Sequence, residues 1–172
     1  ESFSDDSPVP NIASSSRTDY LVPLLLIDYP DQANQYTVQN FDDLMNLANY
    51  NSTGSFKDYY EEISYNQFHP VTTVMGWYTA TQNHDYYADS GTNSTLRTIE
   101  LVRAAVDSAE AAGMDFSQFD NDGDGYVDAL NVIHGGPGAE EGDDSNIWSH
   151  KYWLSVGGLS VQYDGVWIDA YT

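Results

Sequence analysis

The chain has 172 residues, 41% of them hydrophobic, which predicts one domain, or most of one, with a real core. Lys and Arg number 5 against 27 Asp and Glu, and the formal net charge of −22 argues against nucleic acid and anionic membrane surfaces as partners, because basic side chains supply most of that affinity. The sequence contains no cysteine, hence no disulfide framework, and no apolar run near the roughly 20 residues that a membrane span requires.

Residues 1–18 are polar and rich in Ser and Pro, which predicts a flexible lead-in before a folded region over residues 19–172. The segment DYLVPLLLIDYPDQ then predicts a buried strand that ends in a turn. Pro23 lacks a backbone N–H, so we expect this strand near an edge of its sheet, or the proline at the strand's beginning.

Two helices are predicted next. TVQNFDDLMNLANY has apolar residues at helical spacing, with Thr37 as its possible N-cap. GSFKDYYEEISYNQF begins with a pair resembling a capping box, Ser55 and Asp58. The apolar stripe of this second helix predicts a face that packs in the core, and it consists of Phe56, Tyr59, Tyr60 and Ile63.

The rest of the chain alternates helix and strand before strands dominate. HPVTTVMGWYT predicts a strand, QNHDYYADSGTNS a loop, and TLRTIELVRAAVDSAEAAG the longest helix, which Gly113 terminates. One side of that helix carries Leu96, Ile99, Val102, Val106 and Ala109. DALNVIHGG, IWSHKYWLSV and LSVQYDGVWIDAYT predict strands, and GGPGAEEGDDSN a loop. This order predicts an α/β or α+β sheet with helices packed on it.

An acidic segment, DNDGDGYVD, precedes the first of these later strands. Its spacing matches positions 1, 3, 5, 6, 7 and 9 of an EF-hand-type calcium loop, with Asp120, Asp122, Asp124, Gly125, Tyr126 and Asp128 in that order. Calcium takes six to eight oxygen ligands, and alternate residues of a tight turn aim their oxygens inward. In this interpretation Gly125 permits the bend, Tyr126 offers its carbonyl, and Asp128 binds directly or through water.

The match to an EF-hand is incomplete. Position 12 holds Asn131 in place of a bidentate Glu, and the segment that follows is predicted as a strand. The sequence therefore predicts a single structural calcium loop, with a solvated acidic turn as the alternative. The many acidic residues outside this loop are explained mostly by a contribution to solubility. Calcium loops of extracellular proteins bind weakly, with a Kd of roughly 10⁻⁴–10⁻³ M, and this favours a secreted protein.

Several motifs, in their order, resemble the catalytic domain of the immune inhibitor A family of secreted bacterial metallopeptidases. They are LLLIDYPD, GSFKDYYEEISYNQF, GWYT, DFSQFDNDGDGYVDALNVIHGGPGAEEG and IWSH, and the likeness runs from about residue 20 to residue 172. One departure is Asn66, where the family usually has Gly after Ser-Tyr. The resemblance implies a zincin-like fold with a twisted mixed sheet, and a zinc ion held by a helix bearing H-E-x-x-H, whose Glu is the general base.

That zinc motif is not found in this sequence. The 4 histidines form no i, i+4 pair, and none is followed by Glu; they are His69, His84, His134 and His150. The resemblance places the zinc helix shortly after a segment like DGVWIDAYT. We therefore expect residues 19–172 to be the N-terminal portion of a peptidase domain that is incomplete at its C-terminus, with no catalytic residue of its own. Its expected partners are the C-terminal remainder of that domain and a protein or peptide substrate, with zinc only in the complete enzyme.

The remaining candidates have open interpretations. His134 is a candidate for the active cleft or a structural group, and His150 is expected to pack among aromatic residues. A solvated loop or a second calcium site would explain Glu140, Glu141, Asp143 and Asp144. Asp28 and Asp31 flank a turn and would cap it or offer oxygens to a cation.

Two functions remain open at the level of the sequence. In the first, the chain builds the sheet and one wall of a substrate cleft, and an edge strand in residues 148–156 or 159–163 binds an extended peptide. In the second, it is a non-catalytic calcium-binding module for adhesion or assembly.

Overall fold

The computed structural model of the chain describes residues 18–32, 34–88 and 94–172. The predicted lead-in therefore lies outside the described residues, apart from residue 18. The described helices are α1 (Val38–Asn46), α2 (Phe56–Ile63), α3 (His84–Tyr87) and α4 (Ser94–Ala111). The described strands are β1 (Asp19–Asp28), β2 (His69–Thr79), β3 (Asn131–His134), β4 (Tyr152–Trp153), β5 (Val161–Tyr163), β6 (Val166–Ile168) and β7 (Ala170–Tyr171).

The central sheet is parallel, in the order β2-β1-β3, with Leu25 opposite both Met75 and Val132. Antiparallel pairing joins β4 to β7. The end of β7 reaches the central sheet, because the Thr172 N–H donates to Leu130 O and the Val132 N–H donates to Thr172 O, both at 2.9 Å. Through these bonds the strands follow one another as β2-β1-β3-β7-β4, so the described elements form a mixed α/β structure.

The prediction that β1 lies near a sheet edge, or that Pro23 begins it, is wrong. Pro23 is in the middle of β1, and β1 is the central strand. β3 pairs only from Leu24 onward, and before that point the Asn121 side chain takes its place: the Leu21 N–H donates to Asn121 Oδ1 at 2.7 Å, and Asn121 Nδ2 donates to Leu21 O at 3.0 Å. Pro23 faces the same side of β1 as Leu21, because alternate residues of a strand face the same neighbour. No described strand pairs with β1 on that side at Pro23, so its missing N–H interrupts no strand pairing.

Helices α1 and α2 begin at the predicted caps. The Thr37 and Ser55 side chains accept hydrogen bonds from the backbone of Asn40 and Asp58, and each forms a complete capping box. Hydrogen bonds from the Ser55 and Asn49 backbones lower the pKa of Asp58. The helical start signals in the sequence are therefore confirmed.

The prediction that all of the α2 stripe packs in the core is wrong for two residues. Tyr59 is 58% exposed and Ile63 is 52% exposed. Contact with the sheet is made through Tyr60, whose ring lies 5.7 Å from that of Phe68 just before β2, and Phe56 packs on Tyr60. A helix of only 8 residues on one flank of the sheet covers β2 with part of its apolar stripe.

The main core lies between the central sheet and α4. Ile99, Val102, Val106 and Ala109 are buried there as predicted, whereas Leu96 is 44% exposed. On the sheet side the same cluster contains Leu25 and Ile27, and later segments complete it with Phe116, Leu154 and Ile168. Leu24 and Leu26 alternate with these residues, point to the opposite face, and are also buried.

The late segments are less regular than predicted. Within IWSHKYWLSV only Tyr152–Trp153 is a strand, because the chain then turns at Leu154–Gly157 to bury Leu154 against α4. β5 and β6 form a hairpin whose two turn residues, Asp164 and Gly165, have left-handed φ values of 52° and 89°. The predicted loop QNHDYYADSGTNS contains α3 in its described part.

Candidate metal site and adjoining cleft

The acidic loop, residues 120–128, folds around the side chain of Asp120. Its Oδ1 accepts from the Gly123 and Asp124 N–H groups at 2.8 and 3.0 Å, and its Oδ2 accepts from the Gly125 N–H at 3.0 Å. Gly123 and Gly125 have left-handed φ values of 77° and 87°, which non-glycine residues adopt at a cost. This folding aims several carboxylates at one point.

Three carboxylates converge in the acidic loop. Asp120, Asp122 and Asp124 each offer an oxygen, and these oxygens lie within 4.8 Å of one another. Within residues 18–32, 34–88 and 94–172, this is the one convergent group of three or more His, Cys, Asp or Glu ligand atoms. Oxygen donors of this kind suit a hard cation such as calcium, whereas zinc prefers nitrogen and sulfur ligands.

The other two predicted ligands lie differently. Asp128 is outside the convergent group, and its Oδ2 accepts from the Asn121 N–H at 2.9 Å. The Tyr126 side chain is 48% exposed, and the tyrosine would contribute only its carbonyl. The local potential is negative: burial raises the pKa of Tyr20, and the charges of Asp128 and Asp122 raise it further.

Long-range hydrogen bonds join the acidic loop to two strands. On one side Asn121 binds the backbone of Leu21 in β1. On the other, the Trp167 N–H of β6 donates to Gly125 O at 2.8 Å, and the Val127 N–H donates to Trp167 O at 2.9 Å. The role of Asn121 was not predicted, because its position in a calcium loop carries no ligand and its partner is distant in sequence.

An apolar cleft of about 350 Å³ borders β3, β7 and α4. Both His134 and His150 line it, as do Leu101, Val102, Val132, Ile147, Tyr171 and Thr172. Burial lowers the pKa of His134, whose Nδ1 lies 3.0 Å from Gly135 O. His134 is thus a cleft residue with a local backbone partner.

His150 packs among aromatic residues, as predicted. Its ring meets those of Tyr152 and Tyr171, and its Nε2 lies 3.1 Å from the Tyr171 hydroxyl. Burial raises the pKa of Tyr171 to about 12, so this hydroxyl keeps its proton.

His69 and His84 have partners that the sequence did not predict. His69 is 3% exposed, with Nδ1 at 2.7 Å from Glu61 Oε1 and Nε2 at 2.9 Å from Asn66 O. It joins the end of α2 to the start of β2. Asn66 has a left-handed φ of 58°, a conformation that Asn tolerates, so the turn survives where the family usually has Gly. The ring of His84 packs edge-on against that of Tyr29.

The acids of the loop after β3 bind nearby backbone groups. Glu140 accepts from the Ser149 N–H, and Asp143 accepts from the Ser145 N–H and hydroxyl. Hydrogen bonds from Ser149 and Ser145, respectively, lower the pKa of Glu140 and of Asp143. Glu141 instead lines a separate cavity near the end of β3.

Comparison with known proteins identifies the family. Residues 11–166 match the family model described as the catalytic domain of immune inhibitor A peptidase M6. The chain belongs to the immune inhibitor A (M6) peptidase family. It is 35% identical over 120 residues to immune inhibitor A of Bacillus thuringiensis subsp. alesti, a match that covers 57% of this chain and 18% of that protein.

A second relative covers more of this M6 chain. The pre-pro-metalloprotease PrtV of Vibrio cholerae serotype O1 is 28% identical over 178 residues, and this match covers 79% of the chain and 19% of PrtV, in strain M66-2 and in strain ATCC 39315 alike. The chain thus spans about a fifth of the length of the curated relatives it matches. The resemblance drawn from the sequence motifs is confirmed at the level of the family.

The described part of this M6 domain does not contain a zinc site. No histidine belongs to a convergent group of three or more ligand atoms among the described residues, where the one such group consists of carboxylates. No step of a zinc-dependent reaction is therefore assigned to these residues. Among the described helices, none combines the length and apolar character needed to cross a membrane.

Proposed function

We propose that this chain is the N-terminal, calcium-stabilised part of the catalytic domain of a secreted zinc endopeptidase. In this proposal the zinc ligands and the general base lie outside residues 1–172. The described sheet belongs to the N-terminal subdomain of a zincin-like fold. The match of residues 11–166 to a peptidase catalytic domain carries the proposal. The names of the relatives, a metalloprotease among them, support it.

Calcium would bind in the acidic loop. Asp120, Asp122 and Asp124 would supply carboxylate oxygens, Tyr126 its carbonyl, and Asp128 a water-mediated contact. Bringing these acids together without a cation is unfavourable, because like charges repel at short range. Since the loop holds β1 through Asn121 and β6 through Trp167, a bound ion would stabilise the sheet as well as the loop.

The C-terminal remainder of the domain would complete the cleft. Thr172 already pairs with the outer side of β3 in a parallel sense, through Leu130 and Val132. By strand alternation, Val132 O and the His134 N–H face the same outer side, where a continuation of β7 would pair with them. A further element packed on the apolar cleft would bury the side chains of α4 and β3 that line it.

The substrate would bind as an extended chain along β4. One side of β4 pairs with β7, and Trp153 and Trp148 are 46% and 55% exposed beside it. Main-chain bonds to an open strand edge give affinity to peptides of varied sequence. The other predicted edge, residues 159–163, fits less well, because Arg103 binds Leu159 O and the Tyr163 hydroxyl binds Asp107.

Casein hydrolysis by the full-length protein tests this proposal. We expect cleavage that needs zinc, one zinc ion per chain, and no cleavage by residues 1–172 alone. A full-length protein that binds calcium but neither binds zinc nor cleaves casein would contradict the peptidase assignment and support the calcium-binding adhesion or assembly module. Casein cleavage by the isolated 172-residue chain would contradict the placement of zinc and base outside it.

A further inference from the structure

The turn after β1 encloses two oxygen acceptors that have no hydrogen-bond partner among the described residues. They are Oδ1 of Asp28 and Oε1 of Gln32. Asp28 is only 9% exposed and forms no ion pair within residues 18–32, 34–88 and 94–172. An enclosed carboxylate without a compensating charge is unfavourable. We propose that Asp28, Gln32 and Asn34 form a binding site for a calcium-class cation at the carboxyl end of β1.

The turn brings the three side chains together. The Gln32 N–H donates to Tyr29 O at 3.2 Å, and this tight turn returns the chain to the end of β1. Asn34 Nδ2 donates to Asp28 Oδ2 at 2.9 Å, so the Asn34 amide lies against the same carboxylate. The Asp28 carboxylate and the Gln32 amide then offer oxygen atoms, which are the ligands that hard cations prefer, while the Asn34 N–H group orients the carboxylate.

Two glycines that follow β3, Gly135 and Gly136, cover the site from the neighbouring strand. The Gly135 N–H donates to Ile27 O at 2.8 Å, which brings the loop after β3 over the end of β1. A Cβ at Gly135 would lie 3.2 Å from Asp28 Cβ, and a Cβ at Gly136 would overlap the Gln32 amide. Because they lack side chains, these two glycines let the loop pack closely on Asp28 and on the Gln32 amide.

Asp31, in the same turn, has the hydrogen-bond partner that Asp28 Oδ1 lacks. Its Oδ1 accepts from the His84 N–H at 2.9 Å, so it caps the start of α3. Of the two acids that flank the turn in sequence, one therefore has a backbone partner and the other has an unpaired, enclosed oxygen. Asp28 Oδ1 and Gln32 Oε1 can only accept, so one cation satisfies them together, whereas the Tyr29 hydroxyl, also unpaired, can donate or accept.

The surroundings provide further oxygens and, on the side of Gln32 and Asn34, access to solvent. Gln32, Asn34, Gly135, Gly136 and Glu141 line a cavity of about 490 Å³, which admits water to complete the coordination of an ion. In folds with parallel strands, ligands bind outside the carboxyl ends of the strands. The site is separate from the acidic loop, which contacts β1 at Leu21, seven residues and about 23 Å away along the strand.

Calcium titration of the full-length, metal-free protein by calorimetry tests the site. We expect Asp28→Asn to weaken one calcium site at least tenfold and to leave a second site unchanged. Asp124→Asn should do the reverse. Asp31→Asn, the matched control in the same turn, should retain both sites. If the acidic loop binds no calcium, the protein should still bind one ion that Asp28→Asn loses and Asp124→Asn keeps.

A second variant tests the same site if Asp28→Asn fails to fold. Gln32→Glu replaces an amide oxygen by a charged one at a half-buried position, and we expect it to tighten the same site. A calcium isotherm that is identical in the wild type, Asp28→Asn and Gln32→Glu would overturn the proposal and assign the two acceptors to an enclosed water. So would a tighter calcium site in Asp28→Asn.

Discussion

At its amino end β1 is hydrogen-bonded to the acidic loop. At its carboxyl end it enters a turn that is covered by the loop after β3, at Gly135 and Gly136. The acidic loop draws all its candidate ligands from one short run, Asp120 to Asp128. The carboxyl end also takes its candidate ligands, Asp28 and Gln32, from one short run, but a second segment, the loop at Gly135, encloses them. The acidic loop matches a known ligand spacing and is therefore visible in the sequence. The enclosure of Asp28 depends on the loop after β3, so it exists only once the strands are paired.

Removal of calcium should have the largest effect on the amino end. With a Kd of roughly 10⁻⁴–10⁻³ M, 10 mM calcium should stabilise the folded chain by about 1.4–2.7 kcal/mol through the acidic loop. We expect a chelator to lower the melting temperature, and Asp124→Asn to abolish most of this response. A melting curve that the chelator leaves unchanged would contradict a calcium role at either end of β1.

A methyl group at Gly136 should disturb the carboxyl end. Gly136 has a left-handed φ of 86° and lies against the Gln32 amide, so Gly136→Ala combines backbone strain with a steric overlap. We expect a loss of about 2 kcal/mol in urea unfolding. Gly142→Ala is the control: its φ of 97° is similarly left-handed, but open space surrounds it. Equal losses in the two variants would show that the overlap with Gln32 is unimportant.

Two asparagines allow the metal dependence of the amino end to be isolated. Asn121 binds the backbone of Leu21 from the acidic loop, and Asn46 binds the backbone of Thr72 from α1, each with two hydrogen bonds. Replacing either by Ala should cost about 1.5 kcal/mol. The loss in Asn121→Ala should shrink when calcium is removed, and the loss in Asn46→Ala should not. The same calcium response in both would separate Asn121 from the metal.

The smallest expected effect is on the pH dependence of the free energy of unfolding, through His134 at the end of β3. Burial is the main cause that lowers the pKa of His134, with contributions of the same sign from His84 and His150. The unfolded chain then binds a proton more readily than the folded one, so this contribution is complete above about pH 6.5 and is lost as the pH falls from there toward the lowered pKa. Urea unfolding of His134→Gln should show a flatter pH profile in this range, and parallel profiles would contradict the assignment.

Helix starts and the acidic loop could be predicted because their signals are local. Thr37 and Ser55 accept bonds from residues three positions later, and the period of α4 identifies its buried side. The family, too, could be recognised, since its motifs are short and ordered. His69 shows the limit: Glu61 and Asn66 are near in sequence, but their geometry depends on how α2 meets β2.

The sequence by itself determined the caps, the core face of α4, the spacing of the candidate calcium ligands and the family. Only the tertiary structure decided that β1 is central despite Pro23, that Tyr59 and Ile63 are exposed, and that one oxygen of Asp28 is enclosed without a hydrogen-bond partner. The physical reason is the range of the interactions. Hydrogen bonds and periodicity within one segment are encoded where they act, whereas burial and strand neighbours depend on which distant segment arrives beside each residue.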